Sequence, residues 1–580
     1  MPHAQTVPPP GFQALILCGP GVSLNTFTSS PEEFPKALVP IANRPMVWYP
    51  LDWCYRSGIT NITVITSPSS VAALEAAFSQ NPHLTSLPAP KPDIIAPEGL
   101  SQASSTDETV GTAQIFRLPE VKAAITGDFV VLPCDLVCEL GGEALVEPWM
   151  IEEAGLGGAT GGKQGSFGPK MSIGGEKGGR RGGLGVWYQT KGEHAVKGEE
   201  TDFIATSPLS RPVVPPAQSS LRNHISNLVT SFPTDTLNDI TAERKFFPVR
   251  HALVRRHARI KLLTSYRDAH LYFFPHWVLD MVNKNPKFDS LAEDVVGWWA
   301  KAGWQEGLSE KLGLREIFEG AEENEGEDGL MRSGILEEDV DLGSMSTTWT
   351  SKPESDDSTD DEPTQFASRV RDPSGSDSSS PVPPPKSKLQ TPPMLAYVHP
   401  EKSDQLIRRV DTAPLLLSIS LRLAKLESIE EVGKAAASPF AHNSKVAYPQ
   451  GIAQRSTVTR ADCLLGDNVT VEEKAVIKET VIGPNCQIGS GVRLTRCLLM
   501  DGAVIGERCQ LTGCVVGRRS KIGRESILKD CEVQDNNVVP DETDAKNEKF
   551  MVFEGLEDDE DGGDFDMVDD SGDMDAEMAI

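Results

Sequence analysis

The most regular hydrophobic pattern in the chain lies between residues 465 and 539, where aliphatic side chains recur with steps of six, six and five positions. These steps give a period of 17 residues, which is kept over four repeats and into a fifth. The aliphatic series is Leu465, Val471, Ile477, Ile482, Ile488, Leu494, Leu499, Ile505, Leu511, Val516, Ile522, Leu528, Val533 and Val539. A fixed short period is typical of a solenoid, in which each repeat buries its apolar row by stacking on the next. Three steps per repeat predict a triangular coil with one aliphatic residue near each corner.

Mostly small residues stand two positions before these aliphatic residues, as a narrow triangular interior requires. They are Cys463, Val469, Ala475, Thr480, Cys486, Val492, Cys497, Ala503, Cys509, Cys514, Ser520, Ser526, Cys531 and Asn537. Glycines follow several corners, at positions 466, 483, 489, 506, 517 and 523, where we expect the backbone to bend tightly. An ordinary sandwich of short strands would not keep a 17-residue period, so the pattern favours the solenoid.

The N-terminal half shows a different pattern, in which short apolar runs alternate with amphipathic stretches. Runs typical of buried strands occupy residues 12–18, 61–66, 94–95, 129–132, 184–190, 260–263 and 268–274. Helices are expected to begin at 44–46, 71, 111–113, 275 and 290, and residues 201–222 are expected to form a loop. Strands that alternate with helices predict a doubly wound α/β sheet, with ligand chemistry at the carboxyl ends of its strands.

Changes in composition divide the chain into five parts. We expect an α/β domain over 11–310 with a flexible Gly-rich insertion at 155–183, an acidic Ser/Pro-rich disordered linker over 311–392, a bridging strand and helix over 393–448, the coils over 449–540, and an acidic disordered tail over 541–580. The insertion carries 14 glycines and five basic residues between positions 155 and 185. Its composition leaves open both a solvated linker and a basic RNA-binding arm, and favours the linker.

The net charge of −29 is concentrated in two segments rather than spread over the chain. Residues 321–370 hold 15 acidic and three basic residues, and residues 541–580 hold 17 acidic and two basic residues. The remainder is nearly neutral, so we expect no direct nucleic-acid binding, which needs a basic surface. Neither an 18-residue apolar run nor a secretory signal is present. We therefore expect no membrane partner and a location in the cytosol.

The ten cysteines do not form a C-x-x-C pair. Six of them stand at the small interior positions of the solenoid, where they serve as buried apolar residues. The other four are Cys18, Cys54, Cys134 and Cys138, all on predicted strand or helix segments. This usage favours neither a disulfide framework nor a metal site, and we expect no metal and no cofactor.

Candidate site residues occur in a fixed order along the N-terminal domain. The order is Gly19-x-Gly21-x-x-Leu24, Pro35-Lys36, Arg44-Pro45-Met46, Gly111-Thr112-Ala113 and Asp135 at a strand end. This order resembles the nucleotide-sugar pyrophosphorylase family, whose members also carry a left-handed β-helix of hexapeptide repeats. The resemblance implies the left hand of the solenoid. It also implies that the glycine loop wraps a nucleoside triphosphate, that Lys36 neutralises phosphate, and that Asp135 helps to hold Mg²⁺.

The same motif departs from the family pattern at the position that carries chemistry. The family loop reads G-x-G-T-R-L, and its arginine stabilises charge on the attacked phosphate, whereas Val22 and Ser23 stand here. Pro20 stiffens the loop and removes an amide donor, and the stretch from Leu24 to Pro35 is about three residues longer than usual. No convincing second metal-binding aspartate follows downstream.

We therefore expect no catalytic residue in this domain, and only the remnant of a nucleotide pocket at Gly19, Gly21, Lys36 and Asp135. Weak nucleotide binding without turnover and an empty pocket both remain open, and the stiffened, lengthened loop favours the empty pocket. For Asp135, a strand-end carboxylate that caps nearby amides is the more ordinary interpretation.

Longer segments are similar to one branch of this family. The run from Phe12 to Ile59, the stretch DAHLYFFPHWVLD and the stretch YVHPEKSDQLIRRVDT resemble the gamma subunits of the guanine-nucleotide exchange factor for eukaryotic translation initiation factor 2. The resemblance implies a regulatory, non-catalytic protein that pairs with a catalytic epsilon-type subunit and other subunits to promote GDP/GTP exchange on initiation factor 2. No epsilon-type helical domain is apparent after the repeats, which agrees with that role. A sugar-phosphate nucleotidyltransferase, of the GDP-mannose pyrophosphorylase type or its regulatory homologue, and a scaffold without either activity remain alternatives.

Overall fold

The computed structural model describes residues 11–19, 24–100, 110–146, 182–192, 195–209, 220–247, 249–318, 389, 391–401, 403, 405–434 and 436–551. The chain divides into two compact units. The sheet unit comprises Met1–Cys18, Pro50–Pro68 and Leu87–Arg408, and the coil unit comprises Gly19–Tyr49, Ser69–Ser86 and Arg409–Ile580. Within the described residues, no helix is long and apolar enough to cross a membrane.

The described strands before the solenoid number thirteen. They are β1 (Gln13–Leu17), β2 (Pro40–Ile41), β3 (Arg44–Pro45), β4 (Asn61–Ile65), β5 (Asp93–Ile95), β6 (Phe129–Pro133), β7 (Leu136–Cys138), β8 (Gly183–Gln189), β9 (Asp202–Pro208), β10 (Ile225–Pro233), β11 (Lys261–Phe274), β12 (Met394–Val398) and β13 (Ile407–Arg409). Nine of them form the sheet of the sheet unit in the order β5-β4-β1-β6-β11-β8-β12-β10-β9. Strands β5, β4, β1 and β6 are parallel, and β11 runs antiparallel to β6.

Three parts of this sheet differ from the sequence-based expectation. The runs 260–263 and 268–274 belong to one 14-residue strand, β11, whose register with β8 shifts between Asp268 and Tyr272. The expected loop 201–222 begins with strand β9, which pairs with β10 and β11. The expected bridging strand β12 lies inside the sheet between β8 and β10, so the α/β fold does not end near residue 310. These pairings join distant segments, which the local pattern does not show.

Each predicted helix has a counterpart among the described residues, but other helices, such as Thr234–Arg244 and His251–Arg256, were not predicted. The described helices span Trp48–Arg56, Val71–Gln80, Pro82–Thr85, Thr112–Ile115, Pro119–Ala124, Thr234–Arg244, His251–Arg256, Trp277–Lys284, Gly297–Ala302, Leu308–Lys311, Ala413–Lys425 and Ile429–Val432. A π-helical turn, Leu291–Val296, precedes Gly297–Ala302 in the helix expected over 290–304. Pro50 falls in the first turn of its helix. Backbone N–H groups there have no intrahelical acceptor, so the N–H that proline lacks costs no hydrogen bond. Arg44 and Pro45 form a short strand instead of opening that helix.

The core of the sheet unit is aromatic. Trp187, Trp299 and Tyr272 are almost fully buried, and the rings of Trp277 and Trp299 meet edge to face with centroids 4.8 Å apart. The same core includes Leu312, Leu314, Ile317 and Phe318. The ordered domain therefore extends eight residues into the expected acidic linker, because apolar side chains still recur there.

Parallel sheets of six, six and five strands make up the solenoid in residues 446–551 of the coil unit. Their strands are β14 (Thr457–Val458), β15 (Leu464–Leu465), β16 (Thr470–Val471), β17 (Val476–Lys478), β18 (Val481–Ile482), β19 (Gln487–Ile488), β20 (Arg493–Thr495), β21 (Leu498–Leu499), β22 (Val504–Ile505), β23 (Gln510–Thr512), β24 (Val515–Val516), β25 (Lys521–Ile522), β26 (Ile527–Lys529), β27 (Glu532–Val533), β28 (Val538–Val539), β29 (Asp544–Lys546) and β30 (Lys549–Phe550). Pairs such as Val471↔Ile488 and Ile488↔Ile505 are offset by 17 residues. The predicted period is thus the rise from one coil to the next.

The solenoid continues past residue 540, where the sequence predicted the start of a disordered tail. Strands β29 and β30 pair with β26 and β27, and Ala545 is buried in the same interior row as the preceding aliphatic residues. The acidic count of residues 541–551 comes from side chains on the outside of a further partial coil. The rest of the tail lies outside the described residues, as does most of the acidic linker and the Gly-rich insertion.

The six glycines that follow the aliphatic corners do not form the expected bends. The tight turns occur two or three positions after the buried aliphatic residues, where non-glycine residues such as Asn468, Asn485 and Arg508 have positive φ. A Cβ built on Gly483 would lie 2.8 Å from the backbone N of Asp501 in the next coil. Glycine is needed there because neighbouring coils approach too closely for a side chain.

Candidate functional site

The four predicted pocket residues do not all fall in one unit. Gly19 and Lys36 belong to the coil unit and Asp135 belongs to the sheet unit. Gly21, together with Pro20, Val22 and Ser23, lies outside the described residues. Gly19 is exposed, and a Cβ built on it would meet no atom within 4 Å, so packing alone does not require glycine there.

Asp135 lies where the sequence placed it, at the carboxyl end of β6. The Cys134 N–H donates to the Leu17 carbonyl over 3.0 Å, which extends the pairing of β6 with β1 one residue beyond the strand. Asp135 occupies the turn between β6 and β7, and only 1% of its surface is exposed. Across the described ranges, no three His, Cys, Asp or Glu residues are grouped in a way that could hold a metal ion.

The motif Gly111-Thr112-Ala113 has a structural role within the sheet unit. A Cβ on Gly111 would collide with Asp289, so only glycine fits. The Ala113 N–H donates to the Asp289 carbonyl over 2.8 Å, and the Leu291 N–H donates to Thr112 Oγ1 over 2.9 Å. These contacts fix the start of the helix Thr112–Ile115 against the segment that precedes the π-helical turn.

Residues 24–49, which we call the clasp segment, are held by the solenoid within the coil unit. Thr26 is buried and its Oγ1 donates to Glu532 Oε2 over 3.1 Å. The guanidinium of Arg518 lies 3.3 Å from the ring centroid of Phe34 and is oriented by Asp535, whose Oδ2 is 2.9 Å from its Nε. Two residues of the lengthened loop between Leu24 and Pro35 therefore bind the fourth and fifth coils.

Arg44 is the principal anchor of the clasp segment. Its side chain is buried, and its two terminal nitrogens donate to the carbonyls of Phe440 (2.9 Å) and Ala441 (2.7 Å). The guanidinium also lies 4.3 Å from the Trp48 ring centroid. Charge-assisted bonds to two successive carbonyls need the planar fork of arginine. Arg44, part of the family motif, thus holds the fold together instead of facing a ligand.

Asn43 ties the clasp segment to the solenoid directly. Its backbone has φ of +64°, and its Nδ2 donates to the Ile482 carbonyl over 2.8 Å. The preceding residue, Ala42, has φ of +47° and donates its N–H to Ser420 Oγ over 3.2 Å. Two consecutive left-handed residues are costly unless their surroundings fix them. Here two groups fix them, the Ile482 carbonyl of the solenoid and the Ser420 hydroxyl on the helix Ala413–Lys425.

Two histidines close to Arg44 are held in the neutral state. Burial, together with the positive charge of Arg44, lowers the pKa of His83 to about 4. Burial and the charge of Arg44 also hold the pKa of His442 well below its usual value. The two rings meet edge to face with centroids 6.5 Å apart. Neutral rings add no further positive charge beside the Arg44 guanidinium.

A buried ionic cluster in the sheet unit was not found from the sequence. Glu199 accepts from Tyr188 Oη over 3.2 Å and lies 3.4 Å from Arg408 and 3.9 Å from Arg267. Arg408 also lies over the Tyr188 ring, 5.1 Å from its centroid. The available signal was the charged pair Arg267-Asp268 inside the long apolar strand β11. The other members of the cluster, Tyr188, Glu199 and Arg408, lie elsewhere in the chain, so no local pattern reveals them.

Asp268 continues this polar network at the register shift of β11. Its backbone N–H donates to Asp202 Oδ2 over 2.6 Å, and its carboxylate accepts from the Tyr272 hydroxyl and from the His270 N–H, the latter over 2.8 Å. His270 adopts φ of +52° in this bulge. Each carboxylate described here is held by donors, so the network stabilises the sheet and supplies no free base.

Two thiols of the sheet unit, those of Cys54 and Cys138, are also buried. Burial raises the pKa of Cys138 to about 12 and also raises that of Cys54. Buried neutral thiols are poor nucleophiles. The side chains of Arg44, Glu199 and Asp268 bind other parts of the protein.

Comparison with known proteins agrees with this architecture. Residues 447–545 match the family model described as EIF2B subunit epsilon LbH domain, and residues 15–165 match the model described as Nucleotidyl transferase. The chain is 22% identical over 324 residues to the translation initiation factor eIF2B subunit gamma of Schizosaccharomyces pombe (strain 972 / ATCC 24843). This match covers 56% of the chain and 58% of that protein.

These matches confirm two expectations. The fold is a nucleotidyltransferase-like α/β domain followed by a left-handed parallel β-helix. The resemblance to gamma subunits of the exchange factor is also confirmed, because the similarity to one such subunit over 56% of the chain is accompanied by matches to a nucleotidyl transferase model and to an exchange-factor repeat domain.

Proposed function

We propose that this chain is a regulatory gamma-type subunit of the guanine-nucleotide exchange complex that acts on translation initiation factor 2. The observation that carries the proposal is the similarity to the gamma subunit over 324 residues. It is accompanied by a nucleotidyltransferase-like region and, further along the chain, an exchange-factor-type solenoid. In this proposal the chain pairs with a catalytic epsilon-type subunit, works in the cytosol, and contacts neither membrane nor nucleic acid.

The absence of enzymatic activity is part of the proposal. Ser23 replaces the arginine that in the pyrophosphorylase family stabilises charge on the attacked phosphate, and losing one such donor costs on the order of 10²–10³ in rate. Arg44 and Gly111, which belong to the family motif, are engaged in packing. A sugar-phosphate nucleotidyltransferase is the second candidate, because residues 15–165 match the nucleotidyl transferase model.

Nucleotide titration and product release separate these two candidates. We expect calorimetric titration of the full chain with GTP and Mg²⁺ to give no saturable heat, and Lys36→Ala to give the same flat curve. We also expect no pyrophosphate when the chain is incubated with a nucleoside triphosphate and any sugar phosphate. Pyrophosphate release is not expected because the loop has lost the residue that stabilises the transition state. GTP binding is not expected because residues of the lengthened loop bind the solenoid.

A pyrophosphorylase tested in parallel serves as the positive control for both assays. Release of pyrophosphate above the background of the heat-denatured chain would return the enzymatic assignment. Saturable GTP binding that Lys36→Ala weakens would show that the chain still binds a triphosphate with the help of Lys36.

A further inference from the structure

A basic surface with exposed apolar side chains lies on the sheet unit, although the chain as a whole is strongly acidic. Its cations are Arg244, Lys245, Arg250, Arg255, Arg256, Arg259 and Lys261, all of them exposed. Between them stand Phe246, Val249, Val254 and Leu262, whose exposed fractions are 64%, 53%, 56% and 54%. We call these eleven residues the basic-apolar patch. No acidic residue occurs between positions 244 and 262.

The cations of the patch are not neutralised by the described part of the chain. None of the seven forms an ion pair with a carboxylate in the described ranges. Burial and the positive charge of Arg250 lower the pKa of Lys301, so the positive field reaches the helix Gly297–Ala302. On that helix Trp298 is 39% exposed, and its ring centroid lies 5.0 Å from Lys301 Nζ. The patch therefore continues onto a second element with one more cation and one more apolar ring.

The patch is fixed to the core beneath it. Phe247, Leu253 and Ile260 pack in a cluster with Phe203 and Val229, and Lys261 and Leu262 pair with β9. Exposed apolar groups on a fixed surface indicate a binding site more often than isolated ones do. The combination of exposed cations and exposed apolar side chains also indicates which kind of partner fits the patch. Arginines attract an anion, and the exposed Val, Leu and Phe side chains favour a polypeptide that carries both carboxylates and apolar residues over a phosphate backbone.

The chain itself contains a segment of that composition. Residues 321–345 hold nine acidic residues and one basic residue. The same stretch includes Leu330, Met331, Ile335, Leu336, Val340, Leu342 and Met345. We call residues 321–345 the acidic-apolar segment. Its negative charges are opposite in sign to the cations of the patch, and its apolar residues match the exposed apolar side chains there.

The chain packs against the cluster beneath the patch at Trp304, fourteen residues before the described residues end at Phe318. The Trp304 Nε1 donates to the Val229 carbonyl over 2.9 Å. The last residue described before the acidic-apolar segment is Phe318, and the chain returns at Leu389. Two residues separate Phe318 from the segment, and a stretch of 25 residues extends over at most roughly 80–90 Å. The segment can therefore reach the patch from its attachment point.

We propose that the basic-apolar patch is the docking site of the acidic-apolar segment of the same chain. The contact is intramolecular, so the segment acts at an effective concentration on the order of millimolar. Its carboxylates neutralise the seven cations, and its apolar residues cover the exposed side chains of the patch. This arrangement shields the patch from soluble polyanions such as RNA. The proposal is independent of the function proposed above.

Zero-length crosslinking of the intact wild-type chain tests the contact without any substitution. A carbodiimide joins lysine amines to carboxylates that touch them. We expect mass spectrometry to find Lys245 or Lys261 linked to acidic residues of the segment 321–345, and we expect 1 M NaCl to remove these links, because the Debye length is then about 3 Å. Crosslinks from both lysines only to other carboxylates, or no crosslinks to the segment, would overturn the proposal.

A competition experiment provides the second test. The probe is a fluorescent peptide with the sequence of residues 321–345. We expect a full chain whose nine acidic residues in that segment are changed to Asn or Gln to bind the peptide at least tenfold more tightly than the wild type. We expect the added changes Arg255→Glu, Arg256→Glu and Arg259→Glu to abolish binding. Equal affinity of the two chains within twofold would show that the segment does not occupy the patch.

A matched control uses three exposed cations of the solenoid. The changes Arg493→Glu, Lys521→Glu and Arg524→Glu alter the net charge equally, and we expect them to leave peptide binding unchanged. A labelled single-stranded RNA is the third probe. Tight binding of the RNA to the patch in the wild-type chain would mean that the patch is open, and would contradict intramolecular docking.

Discussion

Ile505→Asp is expected to remove the full chain from the soluble fraction. Ile505 is 2% exposed and pairs with Ile488 in the coil before it and Ile522 in the coil after it. Aspartate at this position would place an unpaired carboxylate in the apolar interior. Breaking or omitting the partner of a buried charge costs roughly 3–5 kcal/mol, which is a large part of the stability of most domains.

The position of Ile505 in the middle of the solenoid increases the damage. In a solenoid each coil is stabilised mainly by its two neighbours, so a failed central coil separates the coils on either side. The measurement is the yield of soluble protein, followed by circular dichroism of any fraction that remains. Ile505→Val is the matched substitution and should cost about 1 kcal/mol, because it removes one methylene without adding charge.

Glu507→Lys is the surface control for the same coil. Glu507 is exposed two positions after Ile505 and its side chain points away from the interior. We expect the yield and the melting temperature of this variant to match the wild type. If Ile505→Asp and Glu507→Lys had the same effect, the assignment of inward and outward positions in the solenoid would be wrong.

Arg44→Ala is expected to release the clasp segment from the rest of the coil unit. The substitution removes two charge-assisted bonds to carbonyls and the contact with the Trp48 ring. A bond to a charged group contributes about 1.5–3 kcal/mol, so the total loss should be roughly 3–5 kcal/mol. Each 1.4 kcal/mol is a factor of ten in an equilibrium constant, so backbone amides of residues 36–49 should exchange with solvent at least about 100-fold faster.

Hydrogen exchange followed by mass spectrometry measures this opening directly. Arg44→Lys should retain little of the protection, since an ammonium cannot donate to the Phe440 and Ala441 carbonyls as a fork. Arg493→Ala, an exposed arginine of the solenoid, should change no exchange rate in residues 36–49. Wild-type protection in Arg44→Ala would show that the clasp segment is held by other contacts.

The period of the solenoid could be predicted because it is local and repeated. Each interior aliphatic residue lies a fixed number of positions from the next, so one sequence fixes the register of pairs such as Ile488↔Ile505. The reason for the glycines could not be predicted with equal certainty. Tight bending and close approach of neighbouring coils both require small residues, and only the positions of positive φ distinguish the two.

The strands and helices of the sheet unit were predicted where their apolar runs were continuous. Strand β9 was missed because its segment, DFIATSP, is followed by a Pro/Ser-rich stretch that resembles a loop. The place of β12 between β8 and β10 was also missed, since the strand follows about 70 residues of mostly polar sequence. Pairing over such a distance leaves no mark on local composition.

The candidate site also depends on contacts between distant segments, which the sequence alone does not reveal. Family motifs identified Gly19, Lys36, Arg44 and Asp135 as residues of interest, but a motif does not say whether a residue faces a ligand or another part of the chain. Arg44 binds two carbonyls of residues that lie almost 400 positions further along. The ionic cluster around Glu199 likewise combines four segments whose partnership is invisible in one sequence.

Release of labelled GDP from initiation factor 2 tests the central proposal most directly. The chain alone should release GDP no faster than buffer, whereas an epsilon-type subunit should release it faster when this chain is present than when it is absent. Ile505→Asp chain, if any is recovered, should not support that increase. Rapid GDP release by the isolated wild-type chain, or an unchanged rate of the epsilon-type subunit in its presence, would contradict a regulatory, non-catalytic role.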